Sequence, residues 1–179
     1  MAGAHAPGRI VAGAGRIVAA PGRPWFDDGM SETTETRVVQ ASRVIQAPAE
    51  AIFEQIADPA RQPAWDGNDN LAEAAPGQRV RAVGDVFSMT LTGDGAVREN
   101  HVVEFEEGRR IAWKPATAGQ APAGHLWRWE LEPAGSGTRV THTYDWSELH
   151  DEHRLARARR TTSDNLLASI ERLQALVEG

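Results

Sequence analysis

The chain contains no cysteine. Disulfides, thiolate zinc sites and cysteine nucleophiles are excluded on that ground. It has one lysine, Lys114, and acids outnumber bases by 25 to 19, for a formal net charge of −6. This balance opposes general nucleic-acid binding, whose footprint is a surplus of Lys and Arg. No apolar run approaches the ~20 residues that cross a bilayer, so no stable membrane insertion is expected. The residues point to a soluble, cytoplasmic protein, monomer or homodimer. What is present suffices for one domain: 179 residues, 41% hydrophobic and 25% charged, can bury a real core.

Residues 1–29 differ from the rest. They are mostly Ala, Gly, Pro, Val, Ile and Arg, with no acid before Asp27, and Gly8 to Ala12 repeats as Gly15 to Ala19. Arg16 interrupts the apolar stretch a secretory signal needs, and the Gly and Pro density opposes an amphipathic presequence. The segment is expected to be disordered, an extension ahead of a natural start at Met30. The folded domain is expected over 30–179.

Val38, Val39, Val44 and Ile45 predict a first strand. Pro48 and Glu50 open a helix with Ile52, Phe53 and Ile56 on one face, and Asp58-Pro59 ends it. A second short helix covers Ala60 to Ala64. From Arg79 the pattern turns to strands and tight turns. Phe87, Met89 and Leu91 share one face. Glu99, His101, Val103 and Phe105 share another; so do His125, Trp127, Trp129 and Leu131, and then Val140, His142, Tyr144 and Trp146. One long helix, Asp151 to Val177, closes the chain, with Leu155, Thr162, Leu166, Ile170 and Leu173 as its apolar stripe. Arg154, Arg157, Arg159, Arg160 and Arg172 read as its solvated side. An antiparallel sheet with one apolar face needs a cover, and only the last helix is long enough.

This order resembles the helix-grip superfamily, which includes START lipid-transfer domains, the birch pollen allergen and the bacterial polyketide cyclase/dehydrase (SRPBCC) branch. The resemblance rests on Ala47-Pro48-Ala49-Glu50-Ala51-Ile52-Phe53, Ile56-Ala57-Asp58-Pro59 and Trp65. The second half adds Trp127-Arg128-Trp129-Glu130-Leu131-Glu132-Pro133 and the run from Gly137 to Tyr144. It covers about Thr36 to the C-terminus. It implies an α+β fold: two short helices after the first strand, and a curved antiparallel sheet of six to seven strands around a C-terminal helix. It also implies a cavity for a hydrophobic small molecule. The superfamily shares no single catalytic motif, so no catalytic residue carries over by position.

On the expected faces, Trp127, Trp129, Tyr144 and Trp146 form an aromatic wall, with Trp113, Phe87, Met89 and His125 as further ligand-binding candidates. Glu99, His101 and His142 are the candidate acid–base groups, since a carboxylate in an apolar cavity is pushed up in pKa beside an imidazole that can exchange its proton. Three readings stay open. The first is a binder or carrier of a lipid, polyketide or aromatic metabolite. The second is a cyclase or dehydratase that uses Glu99, His101 and His142 without a cofactor. The third is a regulatory, co-chaperone-like partner protein. No metal site is expected: His150-Asp151-Glu152-His153 lacks the His-Glu-x-x-His order and suits a helix start.

Overall fold

The computed structural model describes residues 35–179, so the extension at 1–29 lies outside the described residues. Strand β1 (Val38–Ile45) is at one edge of the sheet and pairs with the last strand. Pro48, in extended backbone, leads into helix α1 (Ala49–Ala57), and Glu50 sits in the first turn, where the helix dipole favours an acid. α1 buries Ile52, Phe53 and Ile56. The Asp58 carboxylate then accepts the Ala60 N–H at 3.1 Å and starts a 3-10 turn over Pro59–Arg61, which runs into α2 (Gln62–Trp65). These are the two short helices expected after the first strand.

Six further strands follow: β2 (Leu71–Glu73), β3 (Val86–Leu91), β4 (Val97–Glu106), β5 (Arg110–Thr117), β6 (Leu126–Ala134) and β7 (Gly137–Asp145). Their order is β1-β7-β6-β5-β4-β3-β2, and every pairing is antiparallel. The sheet is a curled half-barrel, and the last helix, α4 (Ser163–Glu178), packs on β1 and β7 and on α1 and α2. The fold is the expected α+β helix grip, with seven strands. β2 is a three-residue edge strand in a stretch whose polar composition reads as loop. Ile45, Ile52, Ile56, Val140, Ile170 and Leu173, all fully buried, fill the space between α1, α4 and the sheet.

Two sequence expectations are corrected. The C-terminal helix is not one span: α3 (Glu152–Ala158) is followed by a break before α4. The break has a local cause. Thr162 is extended, its N–H donates to Asn165 Oδ1 at 3.0 Å, and its side chain takes an N–H of the first turn in return, closing a capping box. Short polar side chains that satisfy the free N–H groups start a new helix instead of continuing the old one. Similarly, the Asp151 carboxylate accepts the His153 N–H at 3.0 Å and caps α3.

The second correction concerns β4. Its pairing with β5 shifts between Val102 and Glu104, a β-bulge. One extra residue exchanges the two faces of a strand. Phe105 therefore packs against the core on one side of the bulge, while Asn100 and Val102 are the buried residues on the other. Counting back from Phe105 by twos places Glu99 and His101 on the inside; the folded strand turns them to the other face, beside Ser88 and Ala116 and beside Val86 and Lys114.

Candidate ligand-binding site

Beyond the filled core, towards α3, the sheet and helices line an open-mouthed cavity of about 180 Å³. A single water needs only ~10–15 Å³ on this kind of measure, so the space is that of an organic molecule. Sheet residues from β2 to β7 form one side; α2, the loop Asp66 to Asn70, α3 and the connecting residues His125, Leu149 and Thr161 supply the rest.

The sheet side is an aromatic ladder, and strand register builds it. Trp127 is directly opposite Tyr144, and Trp129 opposite His142, across the β6–β7 pair. The first pair stacks at 4.1 Å between centroids and 26° between planes, the second at 3.7 Å and 12°. Trp113 of β5 is opposite Trp127, which extends the ladder by one strand. His125 meets the Tyr144 ring edge-on at 6.0 Å. From the helix side, Trp65 closes on Trp129 edge to face at 5.1 Å, its indole N–H held by the Gln55 carbonyl. Such pairs contribute ~0.5–1.5 kcal/mol each beyond burial and hold the rings in fixed planes.

Polar atoms in this wall are left unpartnered. Among the described residues, His142 Nδ1, Trp129 Nε1 and His125 Nδ1 are buried without a hydrogen-bond partner. Burial pulls His142 down to about 3, against a smaller opposite effect of the Leu166 backbone. Burial also pulls His125 down to about 4, helped by the positive charge of Arg154, Arg157 and Arg98. Both imidazoles are thus neutral at pH 7, each with one donor and one acceptor nitrogen. Tyr144 is pushed up to about 12 by burial and keeps its proton.

The candidate residues divide cleanly. Trp113, Trp127, Trp129, Tyr144, His142, His125 and Met89 all line the cavity. Trp146 and Phe87 are buried but do not: Trp146 packs with Leu149, Ala158 and Leu166, and Phe87 stands behind Trp113 at 5.5 Å. Glu99 and His101 do not line it either, since the β4 bulge turns them away; the Glu99 carboxylate accepts the Gly119 N–H at 2.9 Å. The expected grouping of Glu99, His101 and His142 does not assemble. Arg98 and Asn100 take the inward positions on β4. Sequence reasoning also missed Trp65, Asp66, Asn68, Arg154 and Arg157, which reach the cavity from helices and loops whose alternation says nothing about facing.

The pattern of the family described as polyketide cyclase / dehydrase and lipid transport matches residues 36–178, and the chain belongs to that family. Uncharacterized protein Rv0088 of Mycobacterium tuberculosis is 32% identical over 111 residues, which is 60% of this chain and 47% of that protein. The chain therefore spans about half the length of the curated relatives it matches. Among solved structures, protein MLL2253 from Mesorhizobium loti is similar at a TM-score of 0.58 with 21% identity, over 79% of this chain and 97% of that one. The ginseng major latex-like protein 151 from Panax ginseng is similar at 0.54 with 15% identity, over 79% and 97%. At such identities the likeness is one of fold.

Proposed function

We propose that the chain binds or carries a small hydrophobic, ring-bearing molecule in the cavity between the sheet and the helices. One observation carries this reading: the stacked ladder of Trp127, Tyr144, Trp129 and His142 borders an open-mouthed cavity and keeps buried polar atoms without partners among the described residues. An unpaired buried polar group costs ~1–3 kcal/mol, and a ligand hydroxyl or carbonyl that meets His142 Nδ1 recovers it. The planar rings offer a large apolar face at little entropic cost, which suits a flat ligand.

Binding without turnover is favoured over a cyclase or dehydratase for a physical reason. Acid–base catalysis works best with a group that titrates near the working pH. His142 and His125 lie at about 3 and 4, far below neutrality, and Glu99 and His101 face away.

The test is native mass spectrometry of the full chain, with extraction of what co-purifies, alongside fluorescence titration with N-phenyl-1-naphthylamine. The neutral dye is expected to bind, and Trp127→Ala to weaken it at least tenfold. A clean mass together with no dye uptake by the wild-type protein would sink the reading and favour a partner-protein role.

A further inference from the structure

The cavity carries a charge pattern that the aromatic wall does not require. Its lining includes three arginines, Arg98, Arg154 and Arg157, and one acid, Asp66. This concentration stands out on a chain of net charge −6. The single acid is already engaged: its carboxylate accepts the N–H groups of Asn68 at 3.1 Å and Asn70 at 3.0 Å. The arginines are far less committed. Arg154 reaches Asp151 at 3.3 Å and donates to the Thr117 hydroxyl at 2.7 Å. Among the described residues, Arg98 and Arg157 form no ion pair.

The three side chains converge although they come from two elements. Arg98 lies directly opposite Thr117 across the β4–β5 pair, and Thr117 is the residue that Arg154 holds. Arg157 is one helical turn beyond Arg154 on α3. The charges of all three are felt at His125. Arg157 is exposed and Arg98 half-buried, whereas Trp129 and His142 are buried, so the charged cluster marks the rim and the ladder the depth.

We propose that the ligand is an organic anion whose carboxylate or phosphate lies among Arg98, Arg154 and Arg157, with its apolar body on the aromatic ladder. This rests on the reading of the cavity as a ligand site and narrows the chemical class. A planar guanidinium matches either head group through paired N–H donors, and three like charges against one lining acid that is already engaged favour an anion between them. A neutral ligand of the same shape forgoes this contact.

The test is displacement of N-phenyl-1-naphthylamine from the full chain by 2-naphthoate, 2-naphthyl phosphate and the neutral 2-naphthamide. At low salt the better of the two anions is expected to compete at least tenfold more tightly than the amide, about 1.4 kcal/mol. That gap should narrow in high salt, because rim charges are screened. The double variant Arg98→Gln with Arg157→Gln should lose most of the gap, and Arg157→Lys should retain part of it. Which anion competes better identifies the head group. Equal competition by the amide and both anions, or a gap that survives in the double variant, overturns the proposal while leaving the cavity as a neutral apolar site. No dye uptake at all overturns the cavity reading beneath it. Should the double variant fail to fold, the salt dependence in the wild-type protein and Arg157→Lys still decide the matter.

Discussion

The same two strands build a filled core at one end and a lined cavity at the other. On β7 the inward residues run Val140, His142, Tyr144; on β6 they run Leu131, Trp129, Trp127. Val140 and Leu131 pack in the core cluster with Ile45, Ile170 and Leu173. Two to four residues further, beside α3 and the first turn of α4, the inward positions become aromatic and imidazole, and among the described residues Trp129 Nε1 and His142 Nδ1 go unpartnered. Core and site are therefore distinguished along a strand by residue type, not between strands. Branched aliphatics mark where the sheet packs into the filled core; flat rings mark where it borders the cavity.

Truncation should expose this contrast most strongly. Leu131→Ala opens a hole in a dry, closely packed region and is expected to lower stability by ~2–5 kcal/mol in urea unfolding. Trp127→Leu borders a space that already exists and should cost less than half as much, while weakening the naphthylamine dye. Comparable losses would mean that the cavity end is packed as tightly as the core end, and the distinction would collapse.

Acid should strike the two ends unequally. Both imidazoles that face the cavity titrate lower in the folded chain than the ordinary value of 6.5, at about 3 for His142 and about 4 for His125. The unfolded chain takes up those protons first. Stability is therefore complete above about pH 6.5 and falls as the pH drops towards about 3, by up to ~1.4 kcal/mol per pH unit for each imidazole. Unfolding curves between pH 7 and pH 4 should show the fall, and His142→Gln should flatten it. A slope unchanged in that variant would place the acid sensitivity elsewhere.

The smallest effect concerns the junction between the ends. Thr162→Ala removes a cap side chain and should cost about 1 kcal/mol. Amide exchange should accelerate in the first turn of α4 and leave the Ile170 turn protected. Uniform acceleration along α4 would show that the helix unfolds as one piece and that the break is not a boundary.

How far the sequence revealed this depends on where alternation is unbroken. The β6 and β7 faces were legible because Trp127, Trp129 and Leu131, and Val140, His142 and Tyr144, keep a strict period of two through nine-residue strands. The β4 face was not, because the bulge at Val102/Glu104 leaves no mark in composition while reversing every side chain before it. The α3–α4 break was partly legible: Thr161-Thr162-Ser163-Asp164-Asn165 is rich in capping residues, but Leu155, Thr162 and Leu166 continue a helical spacing through it. Arg154 and Arg157 read as solvated for a related reason. On one straight helix they belong to the wet side; on a short separate helix their heads reach the cavity.

The loop after α2 sets a limit on how the cavity can change shape. The Gly67 N–H donates to Ser169 Oγ at 2.8 Å, and a Cβ on Gly67 would come within 2.3 Å of the Asn165 carbonyl oxygen. Arg172 grips the same loop through the Asp69 carboxylate at 2.6 Å and the Asp66 carbonyl. One wall is thus seated on α4, with Asp66, Asn68 and Asn70 riding on it, and its closest approach, Gly67 against the Asn165 carbonyl, leaves no room for a side chain at that position. The opposite wall, Trp113, Trp127 and Tyr144, is made of side chains alone. Anyone resizing this cavity for another guest has a fixed jaw and a machinable one, and only the second accepts the tool.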